Sequence, residues 1–277
     1  MINIHPEDMT KKLKLGFHVS KTEKNLLESL KSAQDKMSKF RDVESYFQVF
    51  VAGPRSFGVH KYSDEELSGI YSFIHKEDIH IIAHGTYLDR PFTGEHASIK
   101  SIHDQHAILK KMCGNRGLGP VIHMSKMSRE HGYNKVSEVS EIIFETDASR
   151  DISSVQDLLN ELRDVPSGHK VIIDTAHIFE SGIDISDVKI LGDLLKRLPE
   201  KVIGFHLNDS KTPLSSGHDM HAPLGHGHIF RKSPKALKLL MSFCRKNGLF
   251  AIIETPIEDV NKSLNELRKL NIIKDTN

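Results

Sequence analysis

The sequence predicts an α/β protein built as a single (β/α)8 (TIM) barrel, and three observations carry that expectation. Eight short, β-branched apolar runs recur along the chain, amphipathic stretches fill almost every gap, and no linker or low-complexity segment interrupts the alternation. The runs are LKLGFHVS (13–20), YFQVFVAG (46–53), IHIIAHGTY (79–87), LGPVIHMS (118–125), EIIFETDA (141–148), KVIIDTAH (170–177), KVIGFHLND (201–209) and LFAIIETP (249–256). Each is strand-length and apolar on its N-terminal side, as parallel strands buried on both faces must be. In the first gap Leu26, Leu27, Leu30, Ala33, Met37 and Phe40 fall at helical spacing over 22–40, with Thr22 as the N-cap candidate. The second opens with Ser63 and Glu66, a capping box, and continues through Leu67, Ile70, Tyr71 and Ile74. Similar patterns predict helices over 95–114, 153–163, 187–198, 234–247 and 258–270, whereas the gap after the fourth run is too short and polar for one. An open doubly wound sheet would more often carry a Gly-rich turn after its first strand, and GFHVSKTE has none. The barrel domain is expected over 13–277, with 1–12 as an N-terminal extension.

A chain of 277 residues would fit two small domains or one large α/β barrel. Its 38 Lys+Arg against 37 Asp+Glu leave a formal charge of +1, which argues against a nucleic-acid binder held by bulk positive charge but not against a local basic surface. No apolar run reaches membrane-spanning length, and MINIHPEDMTKK lacks the apolar segment of a secretory leader. Cys113 and Cys244 are too few for a disulfide scaffold, which points to a reducing, intracellular setting. The 18 histidines, about twice the usual share, need an explanation.

In such barrels the chemistry sits at the C-terminal ends of the strands. Those ends read His18, Gly53-Pro54-Arg55, His84, His123, Glu145, Asp174 with His177, His206 and Glu254. Seven of eight carry His, Asp or Glu, and with His, Asp, Glu and Cys together a fifth of the chain this coincidence arises about one time in a hundred even when latitude is allowed in choosing the positions. The segment after the seventh run adds Asp219 and His221 within HDMHAPLGHGH (218–228). Taken singly, each has an ordinary reading. A strand-end histidine can be a satisfied rim residue, Asp174 can cap the next helix, and a GHGH tract can be a solvated loop. His60, His80, His103, His106 and His169 keep such readings. What sets the others apart is convergence on one mouth, where several carboxylates would repel unless cations neutralised them. His84, His123, His177, His206 and His221 with Glu145, Asp174, Asp219 and Glu254 are too many donors for one tetrahedral ion and enough for two or three. The imidazole-rich mixture favours zinc over magnesium.

HGTYLD (84–89), IIFET (142–146), IDTAHIFESGID (173–184), HLNDSK (206–211), the DxH of HDMHAPLGHG and IIETP (252–256) resemble the endonuclease IV family of abasic-site endonucleases, in order, from about residue 14 to 258. The resemblance implies three Zn²⁺ at the C-terminal face of the barrel. The first would be held by His84, His123 and Glu145, the second by Glu145, Asp174, His206 and Glu254, the third by His177, Asp219 and His221. It further implies hydrolysis of the phosphodiester 5′ to an abasic site in double-stranded DNA, with Glu145 and Glu254 as catalytic carboxylates. A 3′-end-trimming activity could accompany it. Arg55, Tyr87, Leu88 and Lys211 would contact DNA, and His18 and His226 would line the pocket or hydrogen-bond the ligands. A monomer without membrane or nucleotide cofactor is expected, in a DNA-containing compartment such as cytoplasm, nucleus, or viral factory or virion. Three zincs would add six charges to the formal +1, all at the mouth. Gly225-His226-Gly227 stands where the family often has GEG, and His221-Ala222 where a histidine pair is common; FVAGPR (50–55) looks closer to members from large DNA viruses.

Two rival functions differ in class. A sugar isomerase or epimerase on a xylose-isomerase-like barrel would share the strand-end carboxylates but leave His177, Asp219 and His221 without a task. A non-catalytic metal-binding protein would gain nothing from ligands spread over seven strand ends.

Overall fold

A computed structural model describes residues 11–20, 25–124, 130–136, 139 and 141–276. Residues 1–10 of the expected extension and Thr22, the expected N-cap, lie outside the described residues. Eight parallel strands close into a barrel: β1 (Leu13–His18), β2 (Val43–Phe50), β3 (His80–His84), β4 (Gly117–His123), β5 (Ile143–Glu145), β6 (Lys170–Asp174), β7 (Val202–His206) and β8 (Phe250–Ile253). Every strand pairs with its sequence neighbours, and β1 closes the ring between β8 and β2. This is the TIM-barrel architecture that the alternating pattern predicts.

Around the ring lie α1 (Leu26–Met37), α2 (Asp64–Glu77), α3 (His96–Cys113), α4 (Val155–Asp164), α5 (Thr175–Ser181), α6 (Val188–Arg197), α7 (Pro234–Asn247) and α8 (Ile257–Lys269). The Ser63 hydroxyl accepts from the Glu66 N–H at the start of α2, as the capping pattern predicts. Asn25 caps α1. The main core fills the space between strands and helices, where outward residues such as Ile81, Phe144, Ile173 and Phe205 share one cluster with Leu30, Ile70, Leu158 and Leu240. A second cluster of Tyr46, Ile82, Val121, Ile143, Ile172, Phe250 and Ile252 plugs the barrel interior. Gly204 makes room in that plug, because a Cβ there would stand 2.4 Å from the Phe250 ring.

Several strands stop earlier than their apolar runs. The second ends at Phe50, not Gly53, and the sixth ends at Asp174, so His177 lies in the first turn of α5. Val51, Ala52 and Ala176 are all buried, and burial makes a loop or helix start as apolar as a strand.

Candidate metal centre

Side chains alternate across a strand, so residues two apart share a face. Five residues of the interior plug are followed two positions later by an ionisable one: Ile82 by His84, Val121 by His123, Ile143 by Glu145, Ile172 by Asp174 and Ile252 by Glu254. The same step leads from Gly204 to His206, from Gly16 to His18 and from Tyr46 to Gln48. The barrel thus lifts one polar layer above one apolar layer, and the polar layer opens into a cleft of about 190 Å³. His18, Phe50, His84, Tyr87, His123, Glu145, His177, Asp219, His221 and Glu254 line it.

Three groups of donor atoms converge there. His84, His123 and Glu145 form one; Glu145, Asp174, His206 and Glu254 form another; Asp174, His177 and His221 form the third. Asp219 joins the third from the rim, its Oδ1 lying 3.3 Å from His177 Nε2 and 3.1 Å from His221 Nε2. Glu145 Oε2 stands 2.9 Å from His123 Nε2 and 3.4 Å from His84 Nε2. Even so, Glu145 Oε2, His177 Nε2 and His221 Nε2 are buried without a hydrogen-bond partner. Donors this close that are not aimed at one another are aimed at shared points, which is how ligands of a cation are arranged. The donor set therefore fits metal ions.

Electrostatics reinforces that fit. Burial alone would raise the pKa of Glu145, but His123 and His206 hold it well below the ordinary carboxylate value. Burial alone would lower His206 and His221, yet Glu145 and Glu254 lift the first to about 9, and Asp174 and Asp219 lift the second to about 9. His18 has only burial and the imidazoles of His84 and His206 acting on it, and falls to about 3.

Backbone and side-chain partners set the orientation. His84 Nδ1 donates to the Gly85 carbonyl at 2.8 Å and His177 Nδ1 to the Thr146 carbonyl at 2.6 Å, which leaves Nε2 of each toward the cleft. Asp174 does cap α5, with Oδ1 accepting from the N–H groups of Ala176 and His177. Its Oδ2 accepts from Asn208 Nδ2 at 2.6 Å, so one carboxylate serves both helix and cluster. Asn208 also donates to Glu254 Oε2 at 3.1 Å and accepts the Glu254 N–H.

The loop carrying Asp219 and His221 is clamped by two buried carboxylates that the sequence reading did not single out. Asp209 accepts from the backbone N–H groups of Ser210, Gly225, Gly227, Ile229 and Phe230. Gly227 is required for this approach, since a Cβ there would lie 2.5 Å from Asp209 Oδ1. Glu180 Oε1 accepts from the hydroxyls of Ser210 and Thr212 and the N–H of Met220. Glu180 and Asp209 fall within IDTAHIFESGID (173–184) and HLNDSK (206–211), but nothing in spacing alone marks them as clamps.

Two expectations for supporting histidines divide. His18 lines the cleft, though its Nδ1 lies 3.4 Å from Gln48 Nε2 and not against a ligand. His226 is exposed and outside the cleft lining, because Asp209 draws in the N–H groups of its flanking glycines and leaves the ring outward. On the rim, Tyr87 is 55% exposed, its ring 5.7 Å from those of His84 and His123, and its hydroxyl is pushed up to about 12 by burial and the carboxylates of Glu254 and Glu145. The Pro54 carbonyl accepts from the Tyr87 N–H and the Thr86 hydroxyl, tying that turn to the one bearing exposed Arg55. Leu88 is partly exposed and Lys211 exposed. His169 is buried and structural, its Nδ1 accepting from the Ile142 N–H.

No helix among the described residues is long and apolar enough to cross a membrane. The family described as the xylose isomerase-like TIM barrel matches residues 45–270. A protein of African swine fever virus, named a probable AP endonuclease, is 30% identical over 75% of this chain and 73% of its own. A protein of Acanthamoeba polyphaga mimivirus named for endonuclease 4 is 29% identical over 80% of this chain and 81% of its own. Among solved structures, AsfvAP:AG superposes with a TM-score of 0.78 at 23% identity, covering 94% of this chain and 99% of that one. Endonuclease IV from Thermus thermophilus gives 0.72 at 21% identity, covering 93% and 98%. The chain belongs to the xylose isomerase-like TIM barrel family and, within it, to the endonuclease IV-like hydrolases.

Proposed function

We propose that this family member is a zinc-dependent abasic-site endonuclease that cuts the phosphodiester 5′ to an abasic nucleotide in duplex DNA, leaving a 3′-hydroxyl and a 5′-deoxyribose phosphate. The observation that carries the proposal is the convergence of imidazole and carboxylate donors into three groups around one cleft. His84, His123 and Glu145 would hold one zinc, Glu145, Asp174, His206 and Glu254 a second, and His177, Asp219 and His221 a third. Bound zinc would lower the pKa of water into the neutral range and offset the charge of the phosphate.

The chain supplies position. Glu254 is held on both oxygens, Oε1 by Gln48 and Oε2 by Asn208, so it can orient an attacking water and accept its proton. As the water oxygen bonds to phosphorus, the P–O3′ bond breaks and O3′ leaves to be protonated. An abasic nucleotide offers no base edge, so recognition rests on shape and on side chains entering the duplex. Tyr87 and Leu88 on one turn and Arg55 on the turn hydrogen-bonded to it would serve that purpose, with Lys211 on a phosphate.

The test is incision of a duplex carrying one abasic analogue, with and without chelator, with the cut mapped and metal content measured. About three zincs per chain, a chelator-sensitive cut 5′ to the lesion and near loss of incision in Glu254→Gln are expected. A single magnesium-dependent site, or full activity in Glu254→Gln, would refute the assignment. The epimerase reading leaves the His177, Asp219 and His221 group idle, and its solved representative is similar only in fold, at a TM-score of 0.57 and 13% identity.

A further inference from the structure

Gln48 is fully buried on β2, and its amide joins two of the candidate ligands. Its Nε2 donates to Glu254 Oε1 at 2.6 Å, and its Oε1 lies 2.8 Å from His206 Nε2. We infer that Gln48 is a positioning residue of the metal centre: it fixes His206 as the Nε2–H tautomer, so that Nδ1 is the nitrogen offered to the metal, and it turns Glu254 so that Oε2 faces the same ion. The inference rests on the metal-centre reading above.

An amide has one donor end and one acceptor end. Only Nε2 can bond a carboxylate, so the end facing His206 is Oε1, which can only accept. The hydrogen in that contact therefore sits on His206 Nε2, so Nδ1 is the nitrogen that would give up its proton when a metal binds. That atom stands 2.7 Å from Glu145 Oε1 and 3.1 Å from Glu254 Oε2, inside the group formed by Glu145, Asp174, His206 and Glu254. His84 and His177 are arranged the other way round, each giving Nδ1–H to a backbone carbonyl and presenting Nε2. Their tautomers are written into the main chain, whereas that of His206 depends on a replaceable side chain. His206 has no exposed surface at which water could take over.

The first test needs no variant. In zinc-loaded protein labelled with ¹⁵N in its histidines, long-range ¹H–¹⁵N spectra read which ring nitrogen carries the proton. His206 should show Nε2–H, and Nδ1–H there would overturn the inference. The second test compares zinc competition against a chelator in Gln48→Leu and Gln48→Glu. Gln48→Leu removes both bonds, and one zinc should be held about 10- to 100-fold more weakly. Gln48→Glu keeps an acceptor for His206 but sets a carboxylate against Glu254, and should weaken the same zinc. A merely space-filling Gln48 predicts lower thermal midpoints with zinc affinity unchanged, which would also overturn the inference. None of these readouts uses DNA. Wild-type protein that binds no zinc sinks the metal-centre reading itself, while zinc bound with Nδ1–H on His206 sinks only the role of Gln48.

Discussion

His80 and His84 stand at opposite ends of β3, on the same face of the same strand, and meet different fates. His80 lies at the floor of the barrel, stacked on Tyr46 with ring centroids 4.6 Å apart and its Nε2 3.2 Å from Glu44 Oε1. Burial lowers its pKa, and the carboxylates of Glu44 and Asp78 do not reverse the shift because Arg116 and Lys14 act with burial. His84 lies at the mouth, 3% exposed, against Glu145 and beside the rings of His123 and His206. In that layer carboxylates outnumber what one histidine could satisfy, and both His123 and His206 are raised despite burial. A histidine at a strand end therefore says little alone. Its meaning comes from how many strands deliver a partner to the same point.

The widest separation between the two ends should come from replacing each histidine in turn. His84→Gln removes a proposed ligand and should cut abasic-site incision by about a hundredfold or more, with zinc content falling below that of wild type. His80→Gln should leave both within twofold and change stability by less than about 1 kcal/mol, as expected for a partly exposed pair. Equal losses in steady-state incision and metal analysis would break the comparison.

A second contrast is that the mouth depends on its loop and the floor does not. Asp209→Ala leaves five backbone N–H groups without their acceptor and should cost about 3 kcal/mol in denaturant unfolding. Zinc loss should fall on the group of His177, Asp219 and His221, and retention of all zinc would show that the loop is held by other means.

The smallest effect sharpens the electrostatic side. Asp89 is buried beside the mouth with Oδ2 bonded to Gln105 and Oδ1 unpartnered, and burial raises its pKa to about 6. No imidazole offsets that burial, in contrast to Glu145. A carboxyl whose folded pKa lies above its ordinary value favours folding when protonated. Stability is therefore lost as pH rises from about 4 through about 6. Asp89→Asn, neutral throughout, should exceed wild type by about 1 kcal/mol in urea unfolding at pH 8 and match it near pH 4. The same difference at both pH values would contradict the assignment.

Much of this was legible in the sequence for local reasons. Continuous apolar runs separated by helical periodicity require buried parallel strands, and Ser63 with Glu66 marks where α2 begins. The nine candidate ligands were legible because each ends a run or sits in a short motif. Gln48 was not, because it lies inside an apolar run whose strand stops at Phe50, two residues later, while the buried loop beyond is just as apolar. Placing the strand end at Gly53 pointed to Arg55 and passed over the amide. His226 failed for the opposite reason: its GHGH tract looks ligand-rich, but a carboxylate from a separate motif draws its flanking backbone in and leaves its ring outside.

The sequence by itself determined the order of strands and helices and the chemical type of side chain at each strand end, because both follow from periodicities of two and 3.6 residues. Only closure of the barrel decided which of those side chains meet. Glu145 and His206 are 61 residues apart and touch because β5, β6 and β7 stand side by side in the ring. Which nitrogen each imidazole presents was settled there as well, since that depends on whether a carbonyl or the Gln48 amide stands behind the ring.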